Sequence, residues 1–139
     1  MDREQMLATI DALYAERIAG RTETMATHLA PGATFRMAGE GQMQAAFGSD
    51  GPADFLTAMT TLNQAIAMRK VTRIAALAEG HRLAMQFIAE VQFQHLAPFE
   101  TEIFNLWSFD EAGKVTDLVE FVDTARLVGE VQLLGGSLV

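Results

Sequence analysis

Helical periodicity near both ends of the chain and strand alternation between them predict an α+β fold: helices first, then a meander, then one helix. Three observations carry the prediction. Apolar residues recur at helical spacing from Met6 to Ile18 and again from Phe55 to Ile66. Beyond Arg69, turn signals at Glu79-Gly80, Ala97-Pro98 and Glu111-Ala112-Gly113 separate runs of strand formers. The stretch Ser108-Phe109-Asp110-Glu111-Ala112-Gly113-Lys114-Val115, running on to Asp123, reads as a strand, a tight acidic-glycine turn, a second strand and a stop at a helix-capping residue.

Asp2 and Gln5 form an approximate capping box, and Met6, Leu7, Ile10, Leu13, Tyr14 and Ile18 make an apolar stripe. The first helix is expected from Arg3 to Ala19, ended by Gly20. A short second helix should cover Glu23 to Leu29 before Pro31-Gly32 turns the chain, and Thr34 to Met37 reads as a short strand. Residues 38 to 50, rich in glycine, read as a loop that either borders a pocket mouth or merely connects. Asp50-Gly51-Pro52 starts a third helix to Ile66, with Phe55, Leu56, Met59 and Leu62 on its apolar face.

Four antiparallel strands are then expected at Arg69 to Ala78, Arg82 to Gln94, Phe99 to Phe109 and Lys114 to Val122. Along the second, Leu83, Met85, Phe87, Ala89, Val91 and Phe93 fall on one wholly apolar face, which belongs against the helices. Asp123 or Thr124 caps a last helix carrying Leu127, Val128 and Val131, and Gly135-Gly136 begins a looser tail.

A length of 139 residues suits one domain with a real core. Nine Phe and eight Met make the composition globular, and the Met residues serve core packing or an adaptable binding interior. The absence of Cys rules out disulfides, thiolate catalysis and cysteine-ligated zinc. A formal charge of −8 argues against a nucleic-acid partner. Met1-Asp2-Arg3-Glu4-Gln5 is unlike a signal peptide and no apolar run reaches membrane-spanning length, so a cytoplasmic protein with no membrane partner is expected. His28, His81 and His95 lack metal-ligand spacing, and neither a phosphate-binding glycine loop nor a nucleophile elbow is present.

The stretch from Ser108 to Asp123, set beside Ala12-Leu13-Tyr14-Ala15-Glu16-Arg17-Ile18-Ala19-Gly20 and Leu29-Ala30-Pro31-Gly32-Ala33-Thr34-Phe35, resembles the nuclear transport factor 2-like superfamily. That superfamily includes ketosteroid isomerases, limonene epoxide hydrolases and SnoaL-like polyketide cyclases. The resemblance spans about residues 3 to 131. It implies a curved antiparallel sheet wrapped around the N-terminal helices, a cone-like half-barrel with an internal pocket, formed by one SnoaL-like domain over residues 1–139. It also implies a homodimer, for which Trp107, Phe109 and Phe121 on the outer sheet face are candidate contacts.

An ionisable group on an inward strand position of such a pocket is a candidate site residue. Glu102 shares a face with Phe104 and Leu106, and Glu120 with Leu118 and Val122. If those faces point inward, desolvation raises at least one carboxyl pKa and equips it for acid/base work near neutral pH. With the opposite parity both glutamates are solvated. Ketosteroid isomerases pair a carboxylate base with a Tyr and a protonated acid; by resemblance Tyr14 and Glu102 fall near the last two, while Met37 occupies the base position. Tyr14 is otherwise a core residue. Asp123, in the Phe121-Val122-Asp123 ending, resembles the acid of epoxide hydrolases and SnoaL-like cyclases, or else only caps the last helix. Met85-Gln86-Phe87-Ile88-Ala89-Glu90 lacks the Arg that epoxide hydrolysis needs.

The expected pocket lining is Phe35, Met37, Phe55, Met59, Phe87, Phe104, Leu118 and Val122. The expected function is cofactor-independent isomerase- or cyclase-like chemistry on a small apolar molecule, with Tyr14, Glu102, Glu120 and Asp123 as the working groups. The alternative is a non-catalytic ligand-binding or dimeric assembly domain of the same fold.

Overall fold

In the computed structural model, which describes residues 1–47 and 51–136, helix α1 (Arg3–Ala19) begins where the sequence places it. The Asp2 side chain accepts from the Gln5 backbone N–H at 2.8 Å, and Gln5 returns the contact to the Asp2 N–H at 2.8 Å. Gly20 closes the helix at φ 77°, a left-handed conformation that glycine adopts without a Cβ penalty. The short second helix expected over Glu23 to Leu29 is a 3₁₀ helix over Thr22–His28, which leads into β1 (Leu29–Met37).

Helix α2 (Gln42–Phe47) lies within the expected glycine-rich loop, and β2 (Ala53–Asp54) is a two-residue strand. The third helix, α3 (Phe55–Ala65), starts later than Pro52. Its cap is Asp54, which accepts from the Thr57 backbone N–H at 3.0 Å. The expected cap Asp50 lies outside the described residues. Four long strands follow: β3 (Ile66–Glu79), β4 (Arg82–Phe93), β5 (Phe99–Phe109) and β6 (Val115–Phe121). Helix α4 (Thr124–Leu133) ends the described chain, capped by Asp123, which accepts from the Arg126 N–H at 3.2 Å.

The strands form one open curved sheet in the order β2-β1-β6-β5-β4-β3. Every neighbouring pair is antiparallel except β1 with β6, a parallel pairing that sequence periodicity does not reveal. Register shifts interrupt β3 between Met68 and Lys70 and between Arg73 and Ala75, where an extra residue bends the strand. Leu83, Met85, Phe87, Ala89, Val91 and Phe93 of β4 are all buried beneath the helices, as their alternation predicts. Helix α1 lies over β3, tied by an Arg73–Asp11 ion pair at 2.7 Å and by Arg3 Nε donating to the Ala76 carbonyl at 3.4 Å.

On α1 the buried stripe departs from expectation at its last turn. Arg17 is buried and Ile18 is exposed, because Arg17 is the residue three positions after Tyr14 and shares its face. Trp107 and Phe109 lie in the core, so the expected outer cluster with Phe121 is corrected. The outer face instead presents Phe104 and Phe121, paired directly across β5 and β6 and 45% and 47% exposed. No helix among the described residues is long and apolar enough to cross a membrane.

Candidate functional site

Two antiparallel registers decide which polar groups enter the interior. In the β4–β5 pairing Phe87 lies opposite Ile103 and Met85 opposite Asn105, so the odd-numbered residues of β5 face inward with the apolar face of β4. Glu102 and Phe104 therefore point outward, which corrects their expected inward direction. Glu102 is exposed and accepts from Gln86 Nε2 at 2.6 Å on that outer surface. Between β5 and β6, a register shift at Ser108/Phe109 changes the parity: Phe109 pairs with Val115, but Trp107 pairs with Leu118 and Asn105 with Glu120. The inward set of β6 moves from Val115 to Leu118 and Glu120, and the glutamate enters the core at 3% exposure.

Glu120 has polar company there. Asn105 Nδ2 donates to Glu120 Oε1 at 3.2 Å and to the Tyr14 hydroxyl oxygen at 2.7 Å, forming a buried chain across β6, β5 and α1. The Tyr14 ring is held edge-on to Phe87 at 5.3 Å and to Trp107 at 6.1 Å between centroids. The pairing that the resemblance implies between Tyr14 and the acid at Glu102 is made instead by Tyr14 and Asn105.

Burial raises the Glu120 carboxyl above its ordinary range, and the Arg17 guanidinium and the Asn105 amide partly offset this. Tyr14 is pushed well above the ordinary phenol value, first by burial and then by the Glu120 charge, while Arg17 and Asn105 act in the opposite direction. Tyr14 therefore remains a hydroxyl donor at neutral pH.

Two small cavities border this cluster. One, of about 20 Å³, lies among Arg17, Met37, Met68, Thr101, Glu120 and Val122. The other, of about 10 Å³, lies among Tyr14, Arg17, Met25, Phe55, Met59 and Leu118. Each has room for about one water-sized group, so side chains fill most of the interior where a preformed pocket was expected. Met37, Phe55, Met59, Leu118 and Val122 line these cavities, while Phe35 and Phe87 are core residues. Two larger depressions of about 310 Å³ open at the surface, and none of Tyr14, Arg17, Asn105 or Glu120 lines them.

Asp123 is exposed, its carboxylate engaged in capping α4. Glu90, the last residue of the Met85–Glu90 run, lies on the outward parity of β4 and pairs with Arg69 at 3.7 Å. Among the described residues no group of three or more His, Asp or Glu is placed to hold a metal ion. The sequence reading missed Asn105 and Arg17. The i, i+3 spacing of Arg17 from Tyr14 was the available signal for the second; nothing local marked the first.

With this geometry in view, the solved structures most informative for comparison all share its architecture. A pinacolase from Penicillium brevicompactum superposes at TM-score 0.73 with 17% identity, over 95% of this chain and 96% of that one. An NTF2-like protein of unknown function from Burkholderia pseudomallei superposes at 0.75 with 16% identity, over 94% and 98%. An epoxide hydrolase of limonene-epoxide-hydrolase-like type from M. tuberculosis superposes at 0.69 with 11% identity, over 95% and 92%. No family model and no curated protein sequence matches the chain. The chain has the nuclear transport factor 2-like fold. At these identities the likeness carries the architecture and leaves the reaction to the site.

Proposed function

We propose that this chain binds a small carbonyl compound in its interior and moves a proton on it, as a cofactor-independent isomerase- or cyclase-like catalyst. The observation that carries this reading is the buried chain Glu120–Asn105–Tyr14. In the ionised state Glu120 removes a proton from carbon next to a carbonyl: the C–H bond breaks, an O–H bond forms on the carboxyl, and the electron pair moves to the carbonyl oxygen. The Tyr14 hydroxyl, held in place by the Asn105 N–H that it accepts, donates its own proton to the resulting enolate oxygen, and Glu120 returns the proton at the same or another carbon. A carboxyl raised by burial suits this role near neutral pH.

Met25, Met37, Met59 and Met68 line the small cavities. Their unbranched side chains can rearrange to admit a ligand larger than the space at rest. The test is exchange of α-protons of small ketones in D₂O, followed by NMR with wild type and Glu120→Gln. Exchange above the buffer rate with wild type, abolished in the variant, is expected; equal exchange by both would overturn the reading.

A second reading, a dimeric assembly domain without catalysis, is favoured by the exposed Phe104–Phe121 pair on the outer sheet face. A homodimer built on that face is compatible with either function, and its test is the oligomeric state in solution.

A further inference from the structure

Arg17 stands out among the buried polar residues. It is 6% exposed, its Nε is fully enclosed and has no hydrogen-bond partner, and it makes no ion pair within 4.0 Å among the described residues. An isolated cation in a core is costly, and natural interiors pair such a group or use it. Arg17 borders both cavities, and it influences both Tyr14 and Glu120 electrostatically without contacting either as an ion pair. A second unpartnered donor, the Trp107 indole N–H, belongs to a residue lining the same cavity as Arg17 and Tyr14. This wall of the interior therefore offers unused N–H groups and asks for an acceptor, preferably an anionic one.

We infer that Arg17 is the carboxylate anchor of the site, and that the ligand is a short oxo acid whose carboxylate sits on the guanidinium and whose keto oxygen reaches the Tyr14 hydroxyl. The spacing supports a short chain between the two groups. Tyr14 and Arg17 are three residues apart on one face of α1, so their side chains start about 5–6 Å from each other. A 2-oxo acid, with carboxylate and carbonyl bonded directly, or a 3-oxo acid, with one carbon between them, keeps the two groups within that span. The class of a small apolar molecule narrows accordingly to one with a charged end, and the small cavities favour few heavy atoms. This inference rests on the acid–base reading for the placement of the keto oxygen; the carboxylate contact does not depend on turnover.

Pyruvate and its neutral isostere pyruvamide separate the two. Titration calorimetry at pH 7 should give at least tenfold tighter binding of pyruvate by wild type. Arg17→Gln should bring that ratio close to one, and Arg17→Lys should retain a preference for pyruvate. Because a buried-arginine variant can fail to fold, the Arg17 Nε–H resonance of ¹⁵N-labelled wild type provides a second readout, and it should shift with pyruvate and not with pyruvamide. Equal affinities in wild type, an unmoved Arg17 resonance, or a pyruvate preference that survives Arg17→Gln each overturn the inference. If pyruvate binds through Arg17 but no ligand exchanges its α-protons, the anchor stands and the acid–base reading falls. If neutral ketones exchange through Glu120 and Arg17 shows no carboxylate preference, the anchor falls and the acid–base reading stands.

Discussion

Replacing Tyr14 by Phe removes one oxygen atom from one end of the buried polar chain and leaves its ring free to keep its edge-on contacts with Phe87 and Trp107. What is lost is the acceptor 2.7 Å from Asn105 Nδ2. A buried donor deprived of its partner costs about 1–3 kcal/mol. For 139 residues, the unfolding entropy is about 0.29 kcal/mol per degree at about 2.1 cal/mol/K per residue. Tyr14→Phe should therefore lower the melting temperature by about 3 to 10 °C. Asn105→Leu, similar in volume, strips partners from both Tyr14 and Glu120 and should cost at least as much.

The decisive quantity is their coupling. If Tyr14 and Asn105 form one connected network, the double variant loses less than the two singles together, with an interaction energy of about 0.5–3 kcal/mol. Urea denaturation of the four proteins at pH 7 measures it. Additivity within about 0.5 kcal/mol would refute the network, and with it the idea that the amide holds the hydroxyl in place for a carbonyl oxygen.

The native state holds the Glu120 proton to higher pH than the unfolded chain, since burial raises that carboxyl. Its contribution to stability is fully present below about pH 4.3 and is lost as pH rises through the folded pKa. Glu120→Gln has no proton to lose, so it should gain stability relative to wild type across that rise; urea midpoints from pH 4 to 8 that differ by a constant amount would contradict this. Asp123→Ala should cost about 1 kcal/mol through the lost cap and leave α-proton exchange unchanged; loss of exchange at normal stability would return Asp123 to the site. Phe104→Lys places a charge opposite Phe121 on the outer face and should shift a dimer to monomer in analytical ultracentrifugation, whereas an unaltered dimer would place the interface elsewhere.

Local signals made the frame of the molecule readable in its residues. The Asp2/Gln5 box and Gly20 bound α1, and β4 declares its buried face because every inward residue is apolar. Strand β5 gives no such declaration: its buried side carries Thr101 and Asn105, and its exposed side carries Phe104 beside Glu102. Only the register against β4 settles its parity, and register depends on the connection between Phe93 and Phe99, where a shift of one residue would turn every side chain over. The direction of Glu120 was still less accessible, because it depends on the irregularity at Ser108/Phe109. Arg17 was hidden for another reason. A cation in the last turn of a helix ordinarily complements the helix dipole at the surface, and only packing against the sheet turns it inward.

Tyr14, Arg17, Asn105 and Glu120 are polar residues set in a largely apolar interior. Each is at least nine-tenths buried, and Arg17 Nε, Asn105 Oδ1 and Trp107 Nε1 remain unpartnered. A core assembled for stability alone would pair these groups or omit them. Two of these residues, Arg17 and Trp107, line the same cavity as Tyr14. In the proposed reading, Glu120 takes a proton, Tyr14 receives the charge that proton transfer leaves, Asn105 holds both in place and Arg17 holds a carboxylate. That division of labour explains together what separate packing accidents at α1, β5 and β6 would leave as four independent penalties.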